Sequence, residues 1–343
     1  MNVPTTDLLL SVRDLKVTYA LPKGSLNAVD GASFDVPKGS IVGLVGESGC
    51  GKSTAARALT RVIADNAKIT GGQAIFGGQD LVGLTDRQMN ALRWRDISLV
   101  PQSAMNSLDP VCTVEAQLNE VLRKRGGMGR RDARMRSEEL FEMVGIERGR
   151  LADYPHQFSG GMRQRVAIAL ALALNPRLVI ADEPVTALDV IVQRQILDTL
   201  RDLQRELGIS ILMVTHDISV VAYICDRTVV MYAGQVVEEG AVADVLDRPG
   251  HPYAMGLRNA FPDLASAGSG VLTPIRGAPP NLAAPPPGCR FAPRCPFAES
   301  RCVDELPGPA AIAPGHIARC HRSGEAQALR HTAGTPETWM AEA

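Results

Sequence analysis

The stretch Gly46-Glu47-Ser48-Gly49-Cys50-Gly51-Lys52-Ser53-Thr54 gathers three glycines, a lysine and two terminal hydroxyls into nine residues. It follows the apolar run 41–45 and fits G-x-x-x-x-G-K-[ST], so a strand, a glycine-rich turn and a helix are expected in succession. Glycines let a backbone wrap closely around an anion with successive N–H groups pointing inward. The helix start adds its partial positive charge. Lys52 offers a point charge to the β- and γ-phosphates, and Ser53 offers an oxygen to Mg²⁺. Further on, Leu178-Val179-Ile180-Ala181-Asp182-Glu183 is an apolar run ending in two acids. A buried strand delivers such carboxylates at the carboxyl edge of a sheet, where α/β proteins bind ligands. Asp182 can hold Mg²⁺, directly or through water. Glu183 can polarise an attacking water as a general base, a role worth about 10²–10⁴ in rate.

These groups need an α/β frame. Strands are expected at 41–45, 97–100, 178–181, 210–214 and 228–232, several without alternation, as in parallel strands buried on both faces. Helices are expected at 52–62, 166–174 and 190–207, the last closed by Gly208. Thr85-Asp86-Arg87-Gln88 has the form of a capping box. Strands alternating with helices predict a mostly parallel sheet. Residues 111–160 contain no strand pattern and read as a helical insertion.

Composition narrows the class. The 343 residues are 45% hydrophobic with a formal net charge of −1. A packed core is therefore expected, and a whole-surface nucleic-acid binder is not. The longest apolar run, 166–174, is far short of a membrane span. The opening residues lack a basic segment before Asp7, so no secretory signal is expected.

Phe158-Ser159-Gly160-Gly161-Met162-Arg163-Gln164 resembles the signature motif of ABC-type ATPases, and other landmarks of that family follow in order. Gln102 looks like the Q-loop glutamine, Ala187-Leu188-Asp189 the D-loop and His216 the switch histidine. Tyr19 looks like the aromatic residue that stacks on adenine. The resemblance covers residues 8 to about 245. It is closest to the ATP-binding subunits of dipeptide and oligopeptide transporters, carried by Leu92–Gln102, Ser107-Leu108-Asp109-Pro110, Tyr154–Arg165 and His251-Pro252-Tyr253. Phe158 and Met162 depart from the general signature, in the manner common to this subgroup.

The resemblance implies a P-loop ATPase core with an antiparallel β subdomain and a helical subdomain. It implies that ATP and Mg²⁺ are bound by Tyr19, Gly46, Ser48, Gly49, Cys50, Gly51, Lys52, Ser53, Thr54, Gln102, Asp182, Glu183 and His216. Ser53, Gln102 and Asp182 would surround the metal. Ser159, Gly160, Gly161 and Asp189 would act in trans, across a dimer. Glu183, His216 and Gln102 are the implied catalytic residues. The implied partners are a second, related ATPase subunit, two transmembrane permease subunits and an extracytoplasmic substrate-binding protein. The implied location is peripheral, on the cytoplasmic face of the inner membrane. Cargo is expected to be peptide, with nickel, glutathione, opines or oligosaccharides as alternatives. A soluble ABC ATPase of DNA repair is disfavoured, because the stretch between Lys52 and Ser159 is too short for the long insertions of that class.

The expected domains are a nucleotide-binding domain over 1–250, an irregular extension over 251–323 and a flexible tail over 324–343. Twelve of the 23 prolines follow residue 270. Cys289, Cys295, Cys302 and Cys320 crowd the extension, and in a reducing compartment such a group argues for metal. The spacing lacks zinc knuckles. A [4Fe–4S] cluster, zinc, and free or disulfide-forming thiols all remain open, and resemblance to cluster-bearing transporter ATPases favours the first. The extension is expected to be cored separately from Lys52 and Glu183. Cys50 reads most simply as a small residue in a variable loop position, and its setting among loop amides also favours a reactive thiolate. The basic run Arg123-Lys124-Arg125 reads chiefly as a solvated face. His251 reads as a turn residue before a helix.

Overall fold

The structure is a computed structural model that describes residues 7–102, 107–260 and 273–340. The opening residues 1–6 and the end of the expected tail, 341–343, lie outside the described residues. Two compact units are present: Met1–Val36, Val42–Val82 and Thr215–Ala343 form one, and Pro37–Ile41 with Gly83–Val214 the other.

In the first unit, β1 (Leu8–Ala20), β2 (Ser25–Pro37), β4 (Ala67–Phe76) and β5 (Gln79–Asp80) make a four-stranded sheet in the order β2-β1-β4-β5. β1 pairs antiparallel with β4, and β4 with β5. Gly77 and Gly78, both at positive φ, turn β4 into β5 as a two-residue hairpin loop demands. This is the expected antiparallel subdomain. β3 (Ile41–Val45) runs parallel to β9 (Arg227–Tyr232). β9 pairs antiparallel with β10 (Gln235–Ala241), and the edge continues through β12 (His316–Ala318) and β11 (Ala310–Ala313), also antiparallel.

In the second unit β6 (Ile97–Val100), β7 (Leu178–Asp182) and β8 (Ser210–Thr215) are parallel. Helices Val114–Glu120 and Arg130–Met143, with a π-helical turn Val121–Arg125, fill the expected helical insertion. Arg123, Lys124 and Arg125 are exposed there, as a solvated face should be. Thr85 caps its helix in a full capping box. Helix Val190–Leu207 buries Ile196, Leu197, Leu200 and Leu203, one apolar stripe at helical spacing, and ends on Gly208 at φ 63°. No described helix is long and apolar enough to cross a membrane.

Four expectations need correction. The pairing is mixed rather than mostly parallel, because the two-residue turn Ala233-Gly234 returns β10 against β9 and the C-terminal β11–β12 hairpin extends that edge. The C-terminal region is also more regular than expected. It holds helix Pro252–Asn259, the β11–β12 hairpin and helix Ser300–Asp304. The expected flexible tail instead forms helices Ala326–Ala333 and Pro336–Met340. The physical reason is burial: Trp339 is 4% exposed and donates its indole N–H to the Ala333 carbonyl at 2.8 Å. Nor is the extension separately cored. Phe291, Leu329 and Trp339 share one apolar cluster with Val45, Ile218, Tyr232 and Tyr253. Tyr232, Tyr253 and Phe291 meet as an aromatic trio with ring centroids 4.6, 5.2 and 5.4 Å apart, the Tyr232–Phe291 pair edge-on and the other two tilted.

Candidate nucleotide site

In the first unit, β3 runs directly into the glycine loop and helix Lys52–Thr60. The glycines are sterically required. A Cβ on Gly46 would lie 2.1 Å from the Met231 carbonyl oxygen, and one on Gly51 would lie 2.1 Å from that of Ala28. Gly51 caps the helix at φ 100° and offers no side chain to its first amides. By contrast, Ser159, Asp189, Thr85 and Thr113 each cap the helix they precede. A close-fitting bare backbone that opens a helix without a side-chain cap suits a phosphate chain. Lys52 is 5% exposed and bridges the loop from within, its Nζ donating to the carbonyls of Gly46 at 2.7 Å and Glu47 at 2.9 Å. Ser53 and Thr54 are half-buried in the first turn, and the Tyr19 hydroxyl lies 3.3 Å from Thr54 Oγ1. Ser48 and Gly49 are exposed on the loop, and His216 is exposed beyond the end of β8.

Cys50 follows the small-residue reading and not the reactive-thiolate one. It is 2% exposed, and burial pushes its thiol up despite the nearby Lys52. A reactive thiolate is therefore not what this position provides; it serves as a small buried side chain.

The second unit carries the remaining groups. Asp182, fully buried, ends β7, and Glu183 follows at φ 51° with its N–H on the Val214 carbonyl at 2.8 Å. Gln102 Nε2 donates to Glu183 Oε2 at 2.9 Å, and Thr186 Oγ1 donates to the same oxygen at 3.1 Å. The structure thus brings together two implied catalytic residues 81 apart in sequence. Two donors on one oxygen hold the carboxylate in place. Ser159, exposed, caps helix Gly160–Ala171, so Gly160 and Gly161 form its first turn. A Cβ on Gly161 would meet Val192 at 2.5 Å, so helix Val190–Leu207 lies hard against the signature turn. Asp189 caps that helix. Ser53, Asp182 and Gln102 are oxygen donors, the chemistry Mg²⁺ selects.

Sequence reasoning missed a second layer behind the loop. Arg294 Nη1 and Nη2 bind Glu47 Oε2 and Oε1 at 2.7 and 3.0 Å, and the Glu47 N–H donates to the Tyr253 hydroxyl at 2.9 Å. An acid inside a phosphate loop was the available signal, but no local pattern couples it to a residue 247 positions away. His251 behaves as expected: it caps helix Pro252–Asn259, Nδ1 accepting from the Tyr253 N–H at 3.0 Å.

Cys289, Cys295, Cys302 and Cys320 all line one small cavity, together with His251, Phe291 and Phe297. All four are free thiols. Burial, then the neighbouring cysteines, push Cys295 up to about 12; burial pushes Cys320 up to about 11. Yet no three His, Cys, Asp or Glu side chains among the described residues converge closely enough to hold a metal ion. The expected metal-binding extension is corrected to that extent: the thiols surround a common space without closing on a single point.

Residues 29–186 match the family model for ABC transporters, and residues 237–302 match that for the oligopeptide/dipeptide transporter C-terminal region. The chain is 47% identical to the oligopeptide transport ATP-binding protein OppD of Salmonella typhimurium over 93% of this chain and 95% of that one. It is 44% identical to the dipeptide transport ATP-binding protein DppD of Bacillus subtilis, over 91% and 94% respectively. Among solved structures it is similar to the ATP-binding cassette MJ0796, a dimer in a post-hydrolysis state bound to ADP and Pi. That likeness has a TM-score of 0.61 at 30% identity, over 68% of this chain and 98% of that one.

Proposed function

Because the chain belongs to the ABC-type ATP-binding proteins of oligopeptide and dipeptide transporters, we propose that its ATP site works as a closing and reopening dimer that drives peptide import. The chain is an ATPase that powers peptide transport. The observation that carries the reading is the phosphate loop, where Gly46 and Gly51 admit no Cβ and lead into a helix start without a side-chain cap. On nucleotide binding Lys52 exchanges the loop carbonyls for the β- and γ-phosphates, and Tyr19 stacks on adenine. Ser53, Gln102 and Asp182 would hold Mg²⁺, which when bound neutralises phosphate charge. Glu183, oriented by Gln102 and Thr186, takes a proton from the attacking water, and His216 contacts the γ-phosphate. Ser159, Gly160, Gly161 and Asp189 complete the site of the opposing subunit, with a related second ATPase as the partner. From the cytoplasmic face of the inner membrane, where this chain is peripheral, closure on ATP and reopening after hydrolysis drive two transmembrane permease subunits, with an extracytoplasmic binding protein delivering cargo. The test is the assembled complex in proteoliposomes: ATP hydrolysis should rise when peptide-loaded binding protein is supplied. Stimulation by nickel or an oligosaccharide, and none by peptide, would overturn the cargo.

Within 251–323 the same reading assigns a [4Fe–4S] cluster to Cys289, Cys295, Cys302 and Cys320. Support comes from four soft thiol donors around one cavity. Raised thiol pKa values mean that protons leave on assembly, so loading should strengthen as pH rises. Protein purified without oxygen should carry about four irons per chain. Stoichiometric zinc without iron would refute the assignment.

A further inference from the structure

Phosphate loops bind anions, and this one contains a carboxylate. Glu47 lies between Gly46 and Ser48 with its side chain 26% exposed, inside the loop that must accept a triphosphate. Left alone, that charge opposes the ligand. It is not left alone. Arg294 arrives from the cysteine-bearing segment with its side chain 5% exposed and makes a bidentate pair with Glu47. Every N–H of this guanidinium is engaged. Nε donates to the Arg276 carbonyl at 2.8 Å, and Nη1 and Nη2 reach the Tyr232 hydroxyl at 3.1 Å and the Ile275 carbonyl at 3.3 Å besides Glu47. Five satisfied donors over-determine its position.

The same segment touches the loop's neighbours. Arg290 binds the Ala233 carbonyl and the Asp30 carboxylate. The next residue, Gly234, donates its N–H to the Cys50 carbonyl at 2.9 Å. Tyr253 takes the Glu47 N–H, and the Glu47 carbonyl takes Lys52 Nζ. The loop is thus held at the backbone, carbonyl and side chain of one residue, twice by the region after residue 250.

We infer that Arg294 is a positioning residue of the nucleotide site: it neutralises Glu47, turns its carboxylate away from the phosphates and so makes the cysteine-bearing segment an integral part of the ATP site. The inference rests on the loop being where ATP binds. Arg294 is buried and Glu47 partly so, which limits screening of the pair by salt, and loss of Arg294 leaves a negative charge beside the phosphates.

The test uses the full chain and a fluorescent ATP analogue with Mg²⁺. Arg294→Gln should weaken binding about tenfold or more, and Glu47→Gln combined with Arg294→Gln should recover most of that loss. In the assembled complex Arg294→Gln should raise KM for ATP while kcat at saturation stays within about threefold, because Arg294 touches no reacting atom. Circular dichroism and thermal unfolding of each variant identify failure to fold, in which case the double variant alone decides. If the wild-type chain fails to bind the analogue, the site reading itself falls. Wild-type binding with an unchanged Arg294→Gln variant overturns only the positioning role. A double variant as weak as Arg294→Gln would overturn charge neutralisation.

Discussion

Glu183→Gln is expected to lower steady-state ATP hydrolysis by the assembled complex by about 10²-fold or more while ATP still binds. The replacement is nearly isosteric. Its amide oxygen can accept the bonds that Gln102 Nε2 and Thr186 Oγ1 now give to Oε2. The neighbourhood of Glu183 therefore survives, including its N–H bond to Val214 and the positive-φ backbone. What disappears is the basic oxygen. ATP should then hold the complex in its closed form, because hydrolysis no longer releases it. Phosphate release and nucleotide retention, measured on the same preparation, check both halves. Hydrolysis near the unmodified rate would remove Glu183 as the base.

Gly46→Ala is expected to abolish measurable ATP binding, and the cause is steric. The added Cβ would sit 2.1 Å from the Met231 carbonyl oxygen and 2.9 Å from Cys50 Sγ. The first of these is backbone of β9, which pairs with β3 and cannot shift without disturbing the sheet. The loop must move instead, and its amides leave the positions that cradle phosphate. Gly49→Ala supplies the contrast. Its φ is 80°, but a Cβ there meets nothing within 4 Å. It should pay only the left-handed backbone penalty, about 1–2 kcal/mol. Nucleotide affinity and thermal midpoint for the two variants separate the effects. Equal binding by Gly46→Ala and the unmodified chain would mean that this loop is not the cradle.

The shared aromatic core changes what the cysteine segment is expected to do. A separately cored extension would leave nucleotide binding intact when its cysteines are replaced. With Phe291, Tyr232 and Tyr253 in one cluster and Arg294 on Glu47, loosening of Cys289 or Cys295 reaches the phosphate loop through two residues. Chain distance hid this: composition marked the segment as Pro-rich and irregular, and that is true of its loops, but burial of Phe291 and Trp339 depends on partners far away.

Local physical chemistry was legible in the sequence alone. Glycine, lysine and hydroxyl at fixed spacing specified a phosphate loop because backbone freedom, charge and oxygen donors are needed within one turn. Thr85 with Gln88, and Gly208 after an amphipathic helix, marked helix ends for similarly short-range reasons. The apolar run into Asp182-Glu183 located β7 and its acids. Pairing direction, the order of strands and the fate of the last residues were decided only in three dimensions. β1 and β2 carry polar residues on an exposed face and did not stand out as strands until paired. Cys50 reads either as a small loop residue or as a reactive thiolate, and burial, by raising its thiol, decides for the first. Arg294 and Glu47 are ordinary surface types in a sequence. Only the fold, by excluding water from one and placing it on the other across 247 positions, makes them a pair.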